Sequence, residues 1–326
     1  MKKLLLKLIA ALSLPIFLSY LYVMIFPMYY LNADCITFRY QRDYVHKNSD
    51  YNDVLIMGDS IGQSGILTYG IDNMDTYNIA LMSATSAEMY IALRNYLENH
   101  DAPQAVIMIF SSVSLVENVH LSDFAFRSEY YSWSELTELY KKGHELKDPY
   151  WDASGIEFDI LRNYLRDPTL FLPVVNERSF FTRYDINIKQ YNNLVQHKGW
   201  MSYGEEEENF ETDYIAQTDH FEVLPMHDHY IRQIIELCEE NGIRIIIEQP
   251  PIKESSIGNI RENVISEYEG YYRELQEDHP YAVINPSIVY YSNEYFGDYT
   301  HLNQDGAKKF TEEIFDKYFP EDNTQL

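Results

Sequence analysis

Cysteine is almost absent: Cys35 and Cys238 are the only two among 326 residues. Two thiols so placed give no metal-ligand spacing, no Cys-x-x-Cys redox motif and no disulfide framework, so no metal or cofactor is expected. Cys238 falls on an apolar helical face with Ile231, Ile234 and Ile235, which predicts core packing rather than chemistry. Basic residues are scarce as well. Lys and Arg number 25 against 51 Asp and Glu, a net charge of −26. That excludes nucleic acid as a partner, because neutralising phosphates needs a basic surface. It also disfavours anionic polymers as tight ligands, except at a local basic patch or with cations present.

A recognisable cleavage site is missing too, which favours an uncleaved anchor over the competing reading, a removed signal peptide. No Ala-x-Ala pattern follows the apolar run at the start of the chain, and Asp34 stands where lipoprotein cleavage before Cys35 needs a small residue. What is there instead is a basic start, Met1 to Lys7, then an apolar stretch from Leu8 to Phe26 long enough to cross a bilayer. Residues 1–30 are therefore expected to be an uncleaved transmembrane signal anchor. The lysines place its N-terminus in the cytoplasm and the rest of the chain outside the membrane. Residues 31–50, polar and aromatic, read as a stalk. Thirty tyrosines are a high load, consistent with compositional bias or with stacking surfaces for sugars.

From residue 51 the pattern becomes periodic. Short apolar runs at Val54–Met57, Thr76–Leu81, Gln104–Phe110, Ile243–Glu248 and Tyr281–Asn285 read as strands. Helical patterns over Ser83–Asn99, Met226–Glu240, Asn259–Glu277 and Gln304–Phe319 lie between and after them. Alternating strands and helices imply a parallel sheet covered on both faces. The alternation fails between Ser112 and Pro225, too long for a plain loop. That segment holds Trp133, Trp151, Trp200 and the run Glu205–Glu208, expected to be a solvated loop. The expected architecture is an α/β three-layer sandwich with a mostly parallel five-stranded sheet. Residues 51–112 and 226–326 would form its core. Residues 113–225 would form a largely helical insertion that either roofs the site or only buries aromatics.

Two stretches carry chemistry. Val54–Met57 runs into Gly58-Asp59-Ser60, which puts Ser60 at the carboxyl edge of the sheet, where open α/β sheets place ligands. A serine there can project its hydroxyl as a nucleophile; the plain alternative is a helix cap. Near the other end, Asp298 and His301 stand three apart just before the last helix. Such a pair can set a carboxylate on Nδ1 and aim Nε2 at a nucleophile, and a serine needs such a base to attack a carbonyl near neutral pH.

Gly58-Asp59-Ser60 and Asp298-Tyr299-Thr300-His301-Leu302-Asn303 together resemble the first and last blocks of the SGNH/GDSL hydrolase superfamily. The resemblance covers roughly residues 51–112 and 226–319. It implies Ser60 as nucleophile, His301 as general base and Asp298 as its orienting acid. It also implies three oxyanion donors: the Ser60 N–H, a glycine N–H in the second block and an asparagine side chain in the third. The second block is similar to Asn78–Thr85 with Ser83 in the glycine's place. The third, at Phe110–Ser114, has no asparagine, and Ser112 falls near its position. Membrane-anchored members that act in polysaccharide O-acetylation, as of alginate, or in teichoic-acid D-alanylation also diverge in these middle blocks.

The resulting expectation is an extracytoplasmic serine O-acyltransferase. It would work through an acyl-enzyme on Ser60 and act on a cell-envelope polysaccharide or teichoic-acid-like acceptor, with a multi-pass membrane acyltransferase as possible donor. An esterase or deacetylase using the same triad is one alternative. A catalytically inactive glycan-binding or scaffold protein is the other. Glu248 and Gln249, at a strand end near the same edge, read either as substrate contacts or as a plain terminus.

Overall fold

The computed structural model describes residues 2–47, 51–71, 74–116, 123–164 and 172–320. In chain order the elements are α1 (Lys2–Ile25), α2 (Ala33–Val45), β1 (Val54–Gly58), α3 (Ser60–Gly65), β2 (Thr76–Asn78), α4 (Ser86–Asn99) and β3 (Ala105–Ile109). Then come α5 (Ser112–Val116), α6 (Asp123–Arg127), α7 (Trp133–Leu146), α8 (Ile156–Tyr164), α9 (Leu172–Glu177) and α10 (Phe180–Gln196). The chain finishes with α11 (Pro225–Glu240), β4 (Arg244–Ile247), β5 (Pro251–Lys253), α12 (Glu262–Asp278), β6 (Val283–Ile284), β7 (Val289–Tyr291) and α13 (Gln304–Tyr318).

Five strands form one sheet in the order β2-β1-β3-β4-β6, and every pairing is parallel. The central strands β1 and β3 are buried along their whole length, which is why their sequences are nearly continuous apolar runs. Side chains alternate between faces. Val54, Ile56, Ile107 and Ile246 pack with Ile61 of α3 and with Phe310 and Ile314 of α13. Leu55, Met57, Val106 and Ile245 pack on the other face with α4, α11 and α12. The sheet is thus covered by helices on both sides, as the alternation predicted. The boundaries shrink: the expected second strand ends at Asn78, and the expected fifth is only Val283–Ile284. A second parallel pair, β5 with β7, was not foreseen; runs of three residues are too short to carry a period.

The expected stalk is corrected. Asn32 caps α2 by accepting from the Cys35 N–H at 3.0 Å, and Phe38 and Val45 are buried in the same core as α4. Gln41 Nε2 donates to the Asn78 carbonyl at 2.7 Å, which binds α2 to the edge of the sheet. Residues 31–47 are therefore part of the domain; residues 48–50 lie outside the described residues. Cys35 and Cys238 are both buried, free thiols.

The segment read as a transmembrane anchor forms α1. Among the described residues, no helix is long and apolar enough to cross a membrane, so the expected span receives no support from the fold. Lys2, Lys3 and Lys7 occupy the first two turns of α1, and Pro15 lies inside it. Its last turns close on the domain, where the Tyr30 hydroxyl donates to the Val23 carbonyl at 2.8 Å. Asn187 of α10 donates to the Met28 and Leu31 carbonyls, both at 2.8 Å, and fixes that exit.

The insertion is helical from α5 to α10, with residues 117–122 and 165–171 outside the described residues. It does bury aromatics: Trp151 is fully enclosed, and a Cβ at Gly143 would come within 2.1 Å of its side chain. Its return, from Met201 to Asp213, is not helical. That return reaches the candidate site, as does α5.

Candidate active site

Ser60 opens α3 directly after β1. Asp59 is the N-cap, not Ser60, and its Oδ1 accepts from the Ile61 N–H at 2.9 Å. The other carboxylate oxygen accepts from the Ser111 N–H at 2.9 Å and the Ser114 hydroxyl at 2.6 Å. One buried acid therefore fixes the ends of both β1 and β3. Gly58 is required at the turn. Its φ is +143°, and a Cβ there would stand 1.7 Å from the Ile109 carbonyl oxygen of the neighbouring strand.

Asp298 and His301 sit in a tight loop closed by an antiparallel bridge between Phe296 and Leu302. Asp298 Oδ1 accepts from the backbone N–H of Thr300 at 2.8 Å and of His301 at 2.6 Å. Its Oδ2 lies 2.8 Å from His301 Nδ1, and His301 Nε2 lies 2.8 Å from Ser60 Oγ, across 241 residues of sequence. An ionised carboxylate only accepts, so Nδ1 carries the proton and Nε2 is left to accept the serine hydroxyl. Burial works to raise the Asp298 carboxyl. The bond to His301, the charge of its ring and the two amides outweigh burial and hold it below the usual carboxylate range. The three residues named from the sequence thus meet in hydrogen-bonding geometry.

The oxyanion candidates are placed differently. The Ser60 N–H is the first of its helix and has no carbonyl one turn earlier to bond. Ser83 has φ +55°, in the left-handed region that favours glycine. Ser112 starts α5 and is 7 % exposed. Among the described residues, neither Ser83 nor Ser112 forms a side-chain hydrogen bond to Ser60, whose hydroxyl pairs with His301. Glu248 and Gln249 are structural. Glu248 is buried against Lys317 at 3.0 Å and Tyr318 at 2.6 Å, and Gln249 holds the Asn285 carbonyl at 2.9 Å.

Several neighbours could not be named from the sequence. Asn78 Nδ2 donates to the carbonyls of Gly62 at 3.0 Å and Gln63 at 3.2 Å, and ties β2 to α3. The Tyr203 ring stands 5.2 Å from the His301 ring, and its hydroxyl donates to Gln63 Oε1 at 2.6 Å. Burial pushes that phenol up, so it stays protonated. Gly204 and Gly297 meet backbone to backbone: a Cβ on Gly297 would lie 2.3 Å from the Gly204 carbonyl carbon. Beyond them opens a cleft of about 1080 Å³, lined by the glutamates 205–207 together with Asn303, Lys308 and Lys309. Among the described residues, no cluster of His, Cys, Asp or Glu could hold a metal ion. Compared with known proteins, the chain matches no family model, no curated protein and no solved structure.

Proposed function

We propose that this chain is a serine O-acyltransferase of the SGNH/GDSL type, held at a membrane by α1 and acting outside the cytoplasm on a cell-envelope glycan. The observation that carries the reading is the unbroken chain Asp298–His301–Ser60, with both links of the imidazole at 2.8 Å. In this reaction His301 Nε2 takes the Ser60 proton as Oγ attacks the donor's acyl carbon, and then gives that proton to the leaving group. The acceptor hydroxyl next attacks the acyl-enzyme. His301 takes its proton and returns it to Ser60 Oγ. The SGNH-like three-layer arrangement is part of the same proposal. Helices on both sheet faces and the nucleophile after the first strand support it.

Membrane attachment is supported by the surface of α1. Leu8, Leu12, Ile16, Phe17 and Leu21 expose between 43 % and 62 % of their area, more apolar surface than a helix in water retains without a partner. The lysines at its start support a cytoplasmic N-terminus. The acceptor is proposed to be a polysaccharide or teichoic-acid-like polymer, and the donor a multi-pass membrane acyltransferase.

The test uses the purified full chain with an acyl ester, with and without glycan. Acyl groups appearing on the glycan support transfer, whereas free acid alone in both mixtures overturns it in favour of an esterase. A serine-directed phosphonate that leaves Ser60 unmodified in folded protein overturns both in favour of an inactive binding protein. Carbonate extraction of membranes should retain the intact chain and release one lacking residues 1–26; release of both would refute anchoring through α1.

A further inference from the structure

Lys253 is fully buried, and its ammonium lies directly behind the acid–base loop. Nζ donates to the Asp298 carbonyl at 2.9 Å and to Asn209 Oδ1 at 2.7 Å, and stands 5.4 Å above the Phe296 ring. Among the described residues, no carboxylate oxygen forms a salt bridge with it. A buried cation satisfied only by neutral dipoles is costly to keep. Its backbone is fixed by the pairing of β5 with β7, Lys253 opposite Tyr291. Its two hydrogen bonds join three distant segments: β5, the return of the insertion at Asn209, and the loop that carries Asp298 and His301.

The charges that reach Lys253 are the carboxylates of Asp213, Asp298, Glu211 and Glu206. Asp213 is 5 % exposed, with its N–H on Ser256 Oγ at 2.8 Å and its Oδ1 capping Ile215 at 3.1 Å. Burial raises its carboxyl to about 6, and Lys253, Asp298 and His301 all act on it. Burial likewise lowers the Lys253 ammonium, against the pull of those carboxylates. One buried cation and one buried acid therefore share the low-dielectric space behind the imidazole.

We propose that Lys253 is a positioning residue for the triad: its ammonium clamps the Asp298 peptide to the returning insertion at Asn209. The assignment rests on the reading of Ser60, His301 and Asp298 as a catalytic triad. Lys253→Met removes both hydrogen bonds of the clamp and frees the loop that holds His301 against Ser60. Asn209→Ala removes the other end of the same clamp and leaves the lysine in place.

The experiment follows the His301 ring by nuclear magnetic resonance in the full chain, with the signal assigned by its loss in His301→Asn. The expected result is a downfield Nδ1 proton, the mark of the bond to Asp298, in the wild type, and its loss by exchange in Lys253→Met. Lys253→Met is also expected to lower kcat on the order of 10²-fold, with KM little changed, because the base is displaced from Ser60. An Nδ1 proton identical in wild type and Lys253→Met overturns the proposal. If Lys253→Met does not fold, Asn209→Ala decides: a weakened Nδ1 proton signal supports the proposal and an unchanged one refutes it. The measurement needs no turnover. A failed phosphonate reaction would sink the proposed chemistry while leaving this measurement to stand by itself.

Discussion

The proposed acid–base side of the site and the proposed oxyanion side are built to different standards of completeness. Asp298 has its carboxylate bonded to two amides and an imidazole, and His301 has both ring nitrogens engaged. Ser83, in the turn beyond β2, and Ser112, at the start of α5, have no such bond to Ser60 among the described residues. The contrast follows from when each group acts. A general base must be poised before the reaction begins, so its partners are present in the resting protein. Oxyanion donors serve a charge that exists only in the transition state, and nothing in the resting site needs to occupy them.

Substitutions can break this comparison, and the largest effects belong to the complete side. Ser60→Ala and His301→Ala should each lower kcat by about 10⁶-fold with folding intact. Full turnover in Ser60→Ala would falsify the covalent route. Asp298→Asn should cost less, about 10⁴-fold, because the acid only orients the base and fixes its tautomer. Steady-state kinetics on a chromogenic ester can rank all three. On the other side, Ser112→Ala is expected to cost on the order of 10²-fold in kcat if its hydroxyl donates to the oxyanion. An unchanged kcat would remove Ser112 from the site and leave two backbone donors.

Smaller effects sharpen the contrast. Ser83→Gly keeps the backbone donor and relieves the left-handed strain, so stability should rise by about 1 kcal/mol with kcat unchanged. A fall in thermal stability would show that the serine side chain holds the turn. Asp213 offers a pH signature. Its folded pKa of about 6 lies above its ordinary value of 3.8, so the folded state binds the extra proton between these values. Its stabilising share is whole below the lower value and is lost as pH rises through the upper one. Asp213→Asn should remove that slope from a plot of Tm against pH. Asp298 has the opposite sign. Its lowered pKa contributes stability above the ordinary carboxylate range that is lost as pH falls through the folded value, and Asp298→Asn should lack that acid-side loss.

The two ends of the site were legible in the sequence because each is local. Gly58–Ser60 is one turn, and Asp298–His301 is one loop whose carboxylate bonds its own backbone. Their meeting could be inferred from order along the chain, since strand-then-turn and loop-then-last-helix converge at one sheet edge. What stayed hidden is non-local. Lys253 looks like a charge at the end of a three-residue strand, and only tertiary contact puts it under Asp298. Tyr203 looked like one aromatic among thirty. Residues 31–47 were misread because the buried positions of α2, Cys35, Ile36, Thr37, Phe38, Gln41 and Val45, are spaced among charged neighbours and include a hydroxyl and an amide. The Ser83 turn shows the converse. The resemblance set a serine where glycine was expected, and only the backbone shows that Ser83 itself adopts the left-handed φ.

The contact of Gly204 with Gly297 has a temporal consequence. Ser60 and His301 lie 241 residues apart, and the loop bearing the imidazole is seated only where the intervening polypeptide has already come to rest. On the proposed chemistry, a partly folded copy would therefore carry an alcohol without its base. Competence would then arrive only with the finished tertiary structure.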